Sequence, residues 1–195
     1  MILAEHIPHL RRLEPYMHGP MLMLGRQTNT SAYRFPPTAG QYRTMDLDGG
    51  DFLFDLGDEK AHQKTNIVGY HLEAYRTVFN LGTLEHVWDA HTAHVNAADM
   101  VAQGGHFLGQ VPVAGWEDHG VHITDYQRVL QFFRLNGFDV DTFWFTTQAG
   151  TVCEPPKRNC GKSILLWFAA RRQHPVPGGI WRKPSQVYVD GKKPA

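Results

Sequence analysis

Short apolar runs that stop at Gly or Asp recur along the first third of the chain. They cover Met21–Leu24 and residues 42–47 and 51–55. Such runs between turn residues are typical of buried strands and are too short for helices. The pattern therefore predicts three strands, preceded by a helix over residues 3–14.

Helical spacing begins after residue 86. Apolar and small residues recur there every three or four positions and predict a helix over residues 87–101, closed by Gly104 and Gly105. The face that this helix buries would hold Val87, Ala90, His94, Ala98 and Val101. Thr124 followed by Gln127 has the spacing of a capping box and predicts another helix that ends at residues 136–137.

Residues 78–87 pass from an apolar strand straight into a polar turn. Val78 and Phe79 favour a strand, and the next residues offer hydrogen-bonding groups and a Gly that permits close backbone approach. In α/β sheets, ligands bind beyond the carboxyl ends of the strands. If the chain has a chemical site, this turn is its predicted centre.

The second half of the chain continues the alternation of strands and helices. Residues 106–113 predict a strand, and residues 140–147 and 163–170 predict an antiparallel pair on one edge of the sheet. Together the patterns predict one α/β domain over residues 1–174. Residues 175–195 are rich in Pro, Gly and Lys and predict an extended tail.

Composition narrows the classes of function. The 195 residues carry 19 basic and 19 acidic side chains, so the formal net charge is zero. Duplex nucleic acid is bound through clustered Lys and Arg, so no nucleic-acid partner is expected. No apolar run approaches the length of a membrane span, and residues 1–10 do not have the pattern of a secretory signal. We therefore expect no membrane partner and a cytoplasmic location, in which Cys153 and Cys160 would be reduced thiols rather than a disulfide.

The order of the elements and the turn sequences resemble the class I S-adenosylmethionine-dependent methyltransferases. The resemblance covers roughly residues 21–171 and is strongest at Asn80-Leu-Gly-Thr-Leu-Glu-His-Val87. This segment is similar to a Gly-Thr-x-Glu-His turn after the fourth strand of small bacterial members. Gly104-Gly105 and the His119-Gly120 turn also match. The resemblance implies a Rossmann-like sheet that is mostly parallel, with an antiparallel hairpin at its C-terminal edge.

The resemblance also implies S-adenosylmethionine as the cofactor. By position, a Gly after the first strand would let the cofactor come close to the backbone. An acidic residue after the second strand would accept hydrogen bonds from the ribose hydroxyls. The adenine would lie beyond the third strand, and the turn after the fourth would lie near the reactive methyl group. The residues in these positions are Gly25, Asp46 or Asp48, Asp55, Leu56, Asn80, Gly82 and Thr83.

The segment after the first predicted strand departs from the family pattern. The family has a Gly-rich loop that leads into a helix, whereas Gly25 is the one Gly in Leu24-Gly-Arg-Gln-Thr-Asn-Thr30. The residues that follow are rich in Pro. The sequence therefore predicts that the first helix of the family fold is shortened or lost.

Four side chains are candidates for acting on the methyl acceptor. His119 follows the fifth predicted strand, and a neutral His there can take the proton of a hydroxyl or amine. His86 could assist it, while Glu85 and Trp116 would contact a small metabolite or saccharide. The structural alternatives are that His119 only closes a turn and that Glu85 only favours a helix start.

Neighbouring polar residues could support His119. Glu117 or Asp118 could set the tautomer of its ring, and His122 is expected only to stabilise the loop.

Two other functions remain open. A degenerate member of the fold could bind a ligand, or act as a subunit, without methyl transfer. A metal enzyme could be built on Asp89, His91, His94 and His119. Buried, hydrogen-bonded histidines explain the helix pair better, so no metal ligand is expected. The expected partner is a small-molecule substrate, and a homo-oligomer is an open alternative.

Overall fold

One eight-stranded sheet organises the chain. The computed structural model describes residues 3–26, 33–40, 42–58, 72–116, 119–121, 125–156 and 161–184. The strand order in the sheet is β3-β2-β1-β4-β5-β8-β6-β7. The strands are β1 (Met21–Leu24), β2 (Tyr42–Asp46), β3 (Phe52–Leu53), β4 (Tyr75–Leu81), β5 (Val101–Ala114), β6 (Phe138–Thr147), β7 (Val152–Cys153) and β8 (Ile164–Arg172).

The first five strands are parallel, and the last three make the sheet mixed. β1 pairs with β2 and β4, β2 with β3, and β4 with β5, in every case parallel. β8 is antiparallel to both β5 and β6, and the two-residue β7 is antiparallel to β6. The predicted fold class is confirmed, with one refinement: the last long strand lies inside the sheet, between β5 and β6.

Helices cover both faces of the sheet. α2 (Ala90–Asp99) and α3 (Tyr126–Leu135) pack on one face, and α1 (Ile7–Leu13) packs on the other. Val78 and Phe107 lie in the core between the sheet and helices α2 and α3, whereas Phe79 and Leu108 lie in the core between the sheet and α1. Because both faces are buried, the central strands are continuous apolar runs rather than alternating ones.

The predicted helix over residues 87–101 has different bounds. It begins at Ala90, with Asp89 as its N-cap, and ends at Asp99. The buried Arg172 donates from Nη1 to the carbonyls of Asp99 and Val101, at 3.3 and 2.7 Å. It therefore supplies hydrogen-bond donors to carbonyl groups at the C-terminal end of the helix. Val101 then pairs with Tyr75 as the start of β5.

The prediction that Gly104 and Gly105 close this helix is therefore wrong. Both lie within β5. A Cβ at Gly105 would come within 2.8 Å of the Arg76 carbonyl, so the residue permits close contact between neighbouring strands. Glycine pairs after an apolar stretch also occur where a strand approaches another backbone closely, and the sequence pattern does not separate the two cases.

The region between β1 and β2 carries little helix where it is described. Residues 33–40 contain one 3₁₀ turn, Pro37–Ala39. This agrees with the predicted shortening of the first helix in the part of the loop that the structure describes. Residues 27–30 of the predicted departure lie outside that part.

The first residues of the predicted tail lie against α3. The Trp181 ring stacks on Phe132, with ring centroids 5.7 Å apart. Asn136 donates to the Arg182 carbonyl at 3.0 Å and accepts from its amide at 2.7 Å. Residues 185–195 and Cys160 lie outside the described residues, and the division at residue 174 stays a prediction. Among the described residues, no helix is long and apolar enough to cross a membrane.

Asp125 is the N-cap of α3, so the predicted Thr124 capping box is wrong. The Asp125 carboxylate accepts from the backbone amides of Gln127 and Arg128, at 2.8 and 3.3 Å. Thr124 itself lies outside the described residues. Both residues are of cap-forming types, and the sequence does not decide which of two adjacent caps begins the helix.

Replacing Asp125 should destabilise the fold through this cap. We expect Asp125→Ala to lower the free energy of unfolding by about 1 kcal/mol, because two helix amides lose their acceptor. Asp125→Asn keeps a side-chain oxygen and should stay close to the parent. Urea unfolding followed by circular dichroism measures both, and equal losses in the two variants would contradict the assignment of the cap.

Candidate functional site

Four loops meet at the carboxyl edge of the parallel strands. They follow β1, β2, β4 and β5, and hydrogen bonds tie the residues after β1 and β4 to the neighbouring strands. The Gly25 amide donates to the Met45 carbonyl at 2.7 Å, and the Gly82 amide donates to the Gln110 carbonyl at 3.2 Å. The Thr83 hydroxyl donates to the Leu24 carbonyl at 2.9 Å. The predicted ligand edge is therefore a connected surface of the sheet.

Gly25 turns the chain away from β1. Its φ of 77° lies in the left-handed region, and a Cβ at this position would overlap the Thr83 hydroxyl oxygen. Both constraints require Gly. The predicted close-approach position thus brings the backbone after β1 against the turn after β4.

Asp46 closes β2 beside that turn. Its carboxylate accepts from the Arg26 amide at 2.6 Å and from the Leu47 amide at 2.7 Å. It is half-buried, whereas Asp48, two residues on, is exposed. Of the two predicted ribose-binding acids, Asp46 is therefore the one built into the edge of the sheet.

The residues predicted to contact adenine lie just beyond β3. Asp55 is exposed, and its carboxylate accepts from the Gly57 amide at 2.8 Å. Leu56 is buried, and its carbonyl accepts from Asn96 of α2 at 2.8 Å. The loop after β3 is therefore held against α2 at this point.

Asn80 shapes the turn after β4 from within. It is fully buried, and its side-chain oxygen accepts from the amides of Thr83 and Leu84, both at 3.1 Å. These bonds begin the 3₁₀ turn Leu84–His86. Contact between Asn80 and a cofactor stays a prediction.

Glu85 and His86 precede α2 and do not form its first turn, so Glu85 does not favour the start of that helix. They belong to the 3₁₀ turn, which ends at Val87 in an extended conformation. Asp89 then starts α2 separately, accepting from the Thr92 amide at 3.0 Å. The interruption points Glu85 and His86 away from the helix axis and toward the loop after β5.

Glu85, His86 and His119 form a cluster at this edge. One carboxylate oxygen of Glu85 and one ring nitrogen of each His lie within 4.8 Å of one another. The two imidazole centroids are 5.0 Å apart, in an edge-to-face arrangement. The Val121 amide donates to the Glu85 carbonyl at 2.8 Å and so fixes the loop that carries His119.

Burial sets the charges of the cluster. Glu85 is 6% exposed, and the loss of solvation raises its pKa to about 7. Its Oε2 has no hydrogen-bond partner among the described residues. Partial burial, together with the nearby His119, lowers the pKa of His86. His86 is therefore largely neutral at pH 7 and able to accept a proton.

Trp116 supports His119 from the other side. The His119 amide donates to the Trp116 carbonyl at 2.9 Å, and the two rings lie 5.1 Å apart. The Trp116 indole donates to the Ile164 carbonyl at 3.2 Å, which anchors the ring to β8. Glu117, Asp118 and His122 lie outside the described residues.

Sequence comparison gives no relative, whereas structural comparison gives several. No family model and no curated protein matches the sequence. A protein of Bacillus halodurans described as a methyltransferase is similar in structure, with 11% identity, a TM-score of 0.62 and coverage of 86% of this chain and 99% of that one. The 1,6-didemethyltoxoflavin-N1-methyltransferase of Burkholderia thailandensis was solved with bound 1,6-didemethyltoxoflavin and S-adenosylhomocysteine. It has 12% identity, a TM-score of 0.53 and coverage of 88% of this chain and 77% of that one.

The chain has the fold of the S-adenosylmethionine-dependent methyltransferases. The cyclase SpnF is also similar, with 14% identity, a TM-score of 0.60 and coverage of 85% of this chain and 80% of that one. The methyltransferase fold therefore also occurs in a protein named for another reaction.

The histidines of α2 are not part of the cluster. His94 is buried, and its Nδ1 lies 2.6 Å from the Ala90 carbonyl, while its ring packs against Phe132. Asp89 is occupied as the cap of α2. Among the described residues, the group with metal-ligand spacing is Glu85, His86 and His119, and it does not include Asp89, His91 or His94. A buried structural role, the interpretation that the sequence favours, is what the structure shows for His94.

The sequence patterns did not single out two residues that help to build this edge of the methyltransferase fold. Gln110 is a buried polar residue within the apolar run of β5, and its Oε1 lies over Gly82. A lone Gln in such a run was the available signal. Arg26 contributes through its backbone amide, which the sequence pattern does not reveal.

His94 should make the stability of the protein depend on pH. Burial lowers the pKa of His94 below its usual 6.5. Below that pH the unfolded chain binds a proton that the folded chain does not, so the free energy of unfolding falls as the pH falls. We expect the parent to lose up to about 1.4 kcal/mol per pH unit relative to His94→Gln. Urea unfolding between pH 7.5 and pH 5, as approximate limits, measures the difference. Parallel curves for the two proteins would contradict the burial argument.

Proposed function

We propose that this protein is an S-adenosylmethionine-dependent methyltransferase that acts on a hydroxyl or amine of a small metabolite or saccharide. The observation that carries the proposal is the pairing of two features at one edge of a methyltransferase fold. Asp46 closes β2 beside the Gly25 turn. The cluster of Glu85 and two imidazoles begins two residues after Thr83, whose hydroxyl binds the end of β1. One feature suits a nucleoside, and the other suits a proton transfer.

The cofactor proposal is supported by free acceptor capacity and by local space. A carboxylate has about four acceptor positions. The Oδ1 of Asp46 accepts from the Leu47 amide and, at 3.5 Å, from the Asp48 amide, whereas Oδ2 accepts only from the Arg26 amide among the described residues. Oδ2 therefore keeps a position for a ribose hydroxyl. Gly25 keeps the backbone after β1 close to the β4 turn. Asp55 and Leu56 would border the adenine, and Asp48 would remain at the exposed rim.

The proposed chemistry needs a proton acceptor near the methyl acceptor. When bound, S-adenosylmethionine supplies a methyl group that is transferred in line and leaves S-adenosylhomocysteine. His119 accepts the proton of the attacking hydroxyl or amine, and His86 lies close enough to share it. The Asn80-to-Thr83 turn holds the reacting groups in position, because orientation supplies much of the rate in such displacements.

The proposed acceptor is a small molecule. Trp116 offers an aromatic wall beside His119, and Glu85 offers a polar group below it. A net charge of zero disfavours nucleic acid as the acceptor. The similar Burkholderia enzyme was solved with a small-molecule substrate. A homo-oligomer and a cytoplasmic location stay predictions from the sequence.

A second candidate keeps the fold and the ligand without the transfer. Two observations favour it: in the described part of the segment between β1 and β2 the helical structure is one 3₁₀ turn, and the fold is shared with the cyclase SpnF. Such a protein would bind S-adenosylmethionine and transfer no methyl group.

Calorimetry with S-adenosylhomocysteine tests the cofactor site. We expect the parent to bind one molecule per chain. Asp46→Asn should bind at least about tenfold more weakly, because the charged acceptor of the ribose is lost while the Arg26 amide keeps an oxygen partner. Asp139→Asn is the matched control, since Asp139 is an exposed carboxylate at the opposite edge of the sheet. Equal affinity in the parent and Asp46→Asn would show that the ribose is bound elsewhere.

A turnover assay separates the two candidates. Formation of S-adenosylhomocysteine, followed by mass spectrometry over a panel of small hydroxyl and amine acceptors, should identify a substrate for the parent. His119→Ala should then lower turnover about 100-fold without changing the affinity for S-adenosylhomocysteine. His174→Ala, an exposed His distant along the chain, should leave both unchanged. Full turnover in His119→Ala would refute its role, and binding without transfer across the panel would favour the second candidate.

A further inference from the structure

Glu85, His86 and His119 together have the donor set of a transition-metal site. Two imidazole nitrogens and one carboxylate oxygen are a ligand set that divalent zinc and iron use in catalytic centres. In the described part of the chain, this is the group whose donor atoms all lie within 4.8 Å of one another. We propose that these three residues bind one divalent transition-metal ion at the carboxyl edge of the sheet.

The distances require only a small contraction. Ligand atoms about 2.0–2.2 Å from a zinc ion lie about 3.3–3.6 Å apart in a tetrahedral site and up to about 4.4 Å apart when they are opposite each other. The cluster spans at most 4.8 Å, and His86 and His119 are exposed. Exposed imidazoles can change rotamer at little cost, so they can close on an ion that the buried carboxylate anchors.

Glu85 supplies the independent sign that a ligand belongs here. A carboxylate removed from water is costly unless a cation or hydrogen-bond donors compensate for it. The Glu85 side chain is more than nine-tenths buried, and its Oε2 has no partner among the described residues. The described ion pairs of the protein involve other acids. A divalent ion would give this carboxylate its missing partner.

The backbone holds the two halves of the site together. Glu85 and His86 lie on the 3₁₀ turn after β4, whereas His119 lies on the loop after β5. The Val121 amide, two residues beyond His119, donates to the Glu85 carbonyl at 2.8 Å. Between them Gly120 has a φ of 75°, and a Cβ there would come within 2.9 Å of the same carbonyl oxygen. The close passage of the two segments is therefore fixed before any ion binds.

The space beside the cluster suits an oxygen ligand from a substrate. A Cβ at Gly82 would lie 3.3 Å from Glu85 Oε1, so the absence of a side chain leaves room next to the carboxylate. Three protein ligands leave at least one position of a zinc ion open. An acceptor hydroxyl bound there gives up its proton to water at a lower pH, because the ion stabilises the alkoxide. This role rests on the proposed function and would replace proton acceptance by His119, whereas metal binding does not depend on that function.

Metal titration of the full chain tests the proposal. The protein is stripped with a chelator and titrated with Co²⁺, followed by visible absorption, and with Zn²⁺, followed by calorimetry. We expect one ion per chain and a cobalt spectrum typical of nitrogen and oxygen ligands. Glu85→Gln, His86→Ala and His119→Ala should each weaken binding at least about tenfold. Mg²⁺, which prefers oxygen ligands, should bind much more weakly.

The control variants keep the result decisive. His91→Ala and His174→Ala remove histidines outside the cluster and should bind the ions as the parent does. Parent-like binding by the three cluster variants, or loss of binding in His91→Ala, would overturn the assignment. Circular dichroism confirms that each variant is folded, and S-adenosylhomocysteine binding is measured on the stripped protein in parallel. If S-adenosylhomocysteine binds and no metal does, the metal site is refuted and the proposed function stands. If a metal binds and S-adenosylhomocysteine does not, the metal site stands and the proposed function is refuted.

Discussion

The hydrogen bond from the Thr83 hydroxyl to the Leu24 carbonyl joins the two halves of the candidate site. It connects the turn after β4 with the end of β1, 59 residues earlier in the chain. It is possible only because Gly25 has no side chain and takes a positive φ. Asn80 fixes the same turn from below, through two backbone amides. The positions of Glu85 and His86, and through Val121 the position of His119, follow from this one turn.

The buried Glu85 carboxylate has a thermodynamic consequence for the rest of the fold. A half-satisfied carboxylate at the end of β4 costs stability, and the apolar sheet around it must compensate. That sheet is buried on both faces, with β4, β5 and β8 at its centre. Functional sites commonly carry such strain, supported by a rigid scaffold. Here the cost lies at the carboxyl edge of the sheet, where the proposed site lies.

Much of the fold could be predicted from the sequence, because its signals are local. β1 was predicted with the observed bounds, since Met21–Leu24 is apolar and ends at a Gly. The end of α2 could not be predicted, because it is set by Arg172, which is 73 residues away from Asp99. Asn80, Gly82 and Thr83 predict the turn after β4 as the centre of the site, and this stays a prediction. The burial of Glu85 and its contact with the His119 loop depend on tertiary packing, which no local pattern contains.

The central claim is that the edge built by Asp46, Gly25 and the β4 turn binds S-adenosylmethionine with its reactive end toward Glu85 and His119. A crystal structure of the full chain with S-adenosylhomocysteine tests it most directly. The account predicts a ribose hydroxyl within about 3 Å of the Asp46 carboxylate and the sulfur atom facing the cluster. A ligand bound at another surface, or with its sulfur directed away from Glu85 and His119, would contradict it.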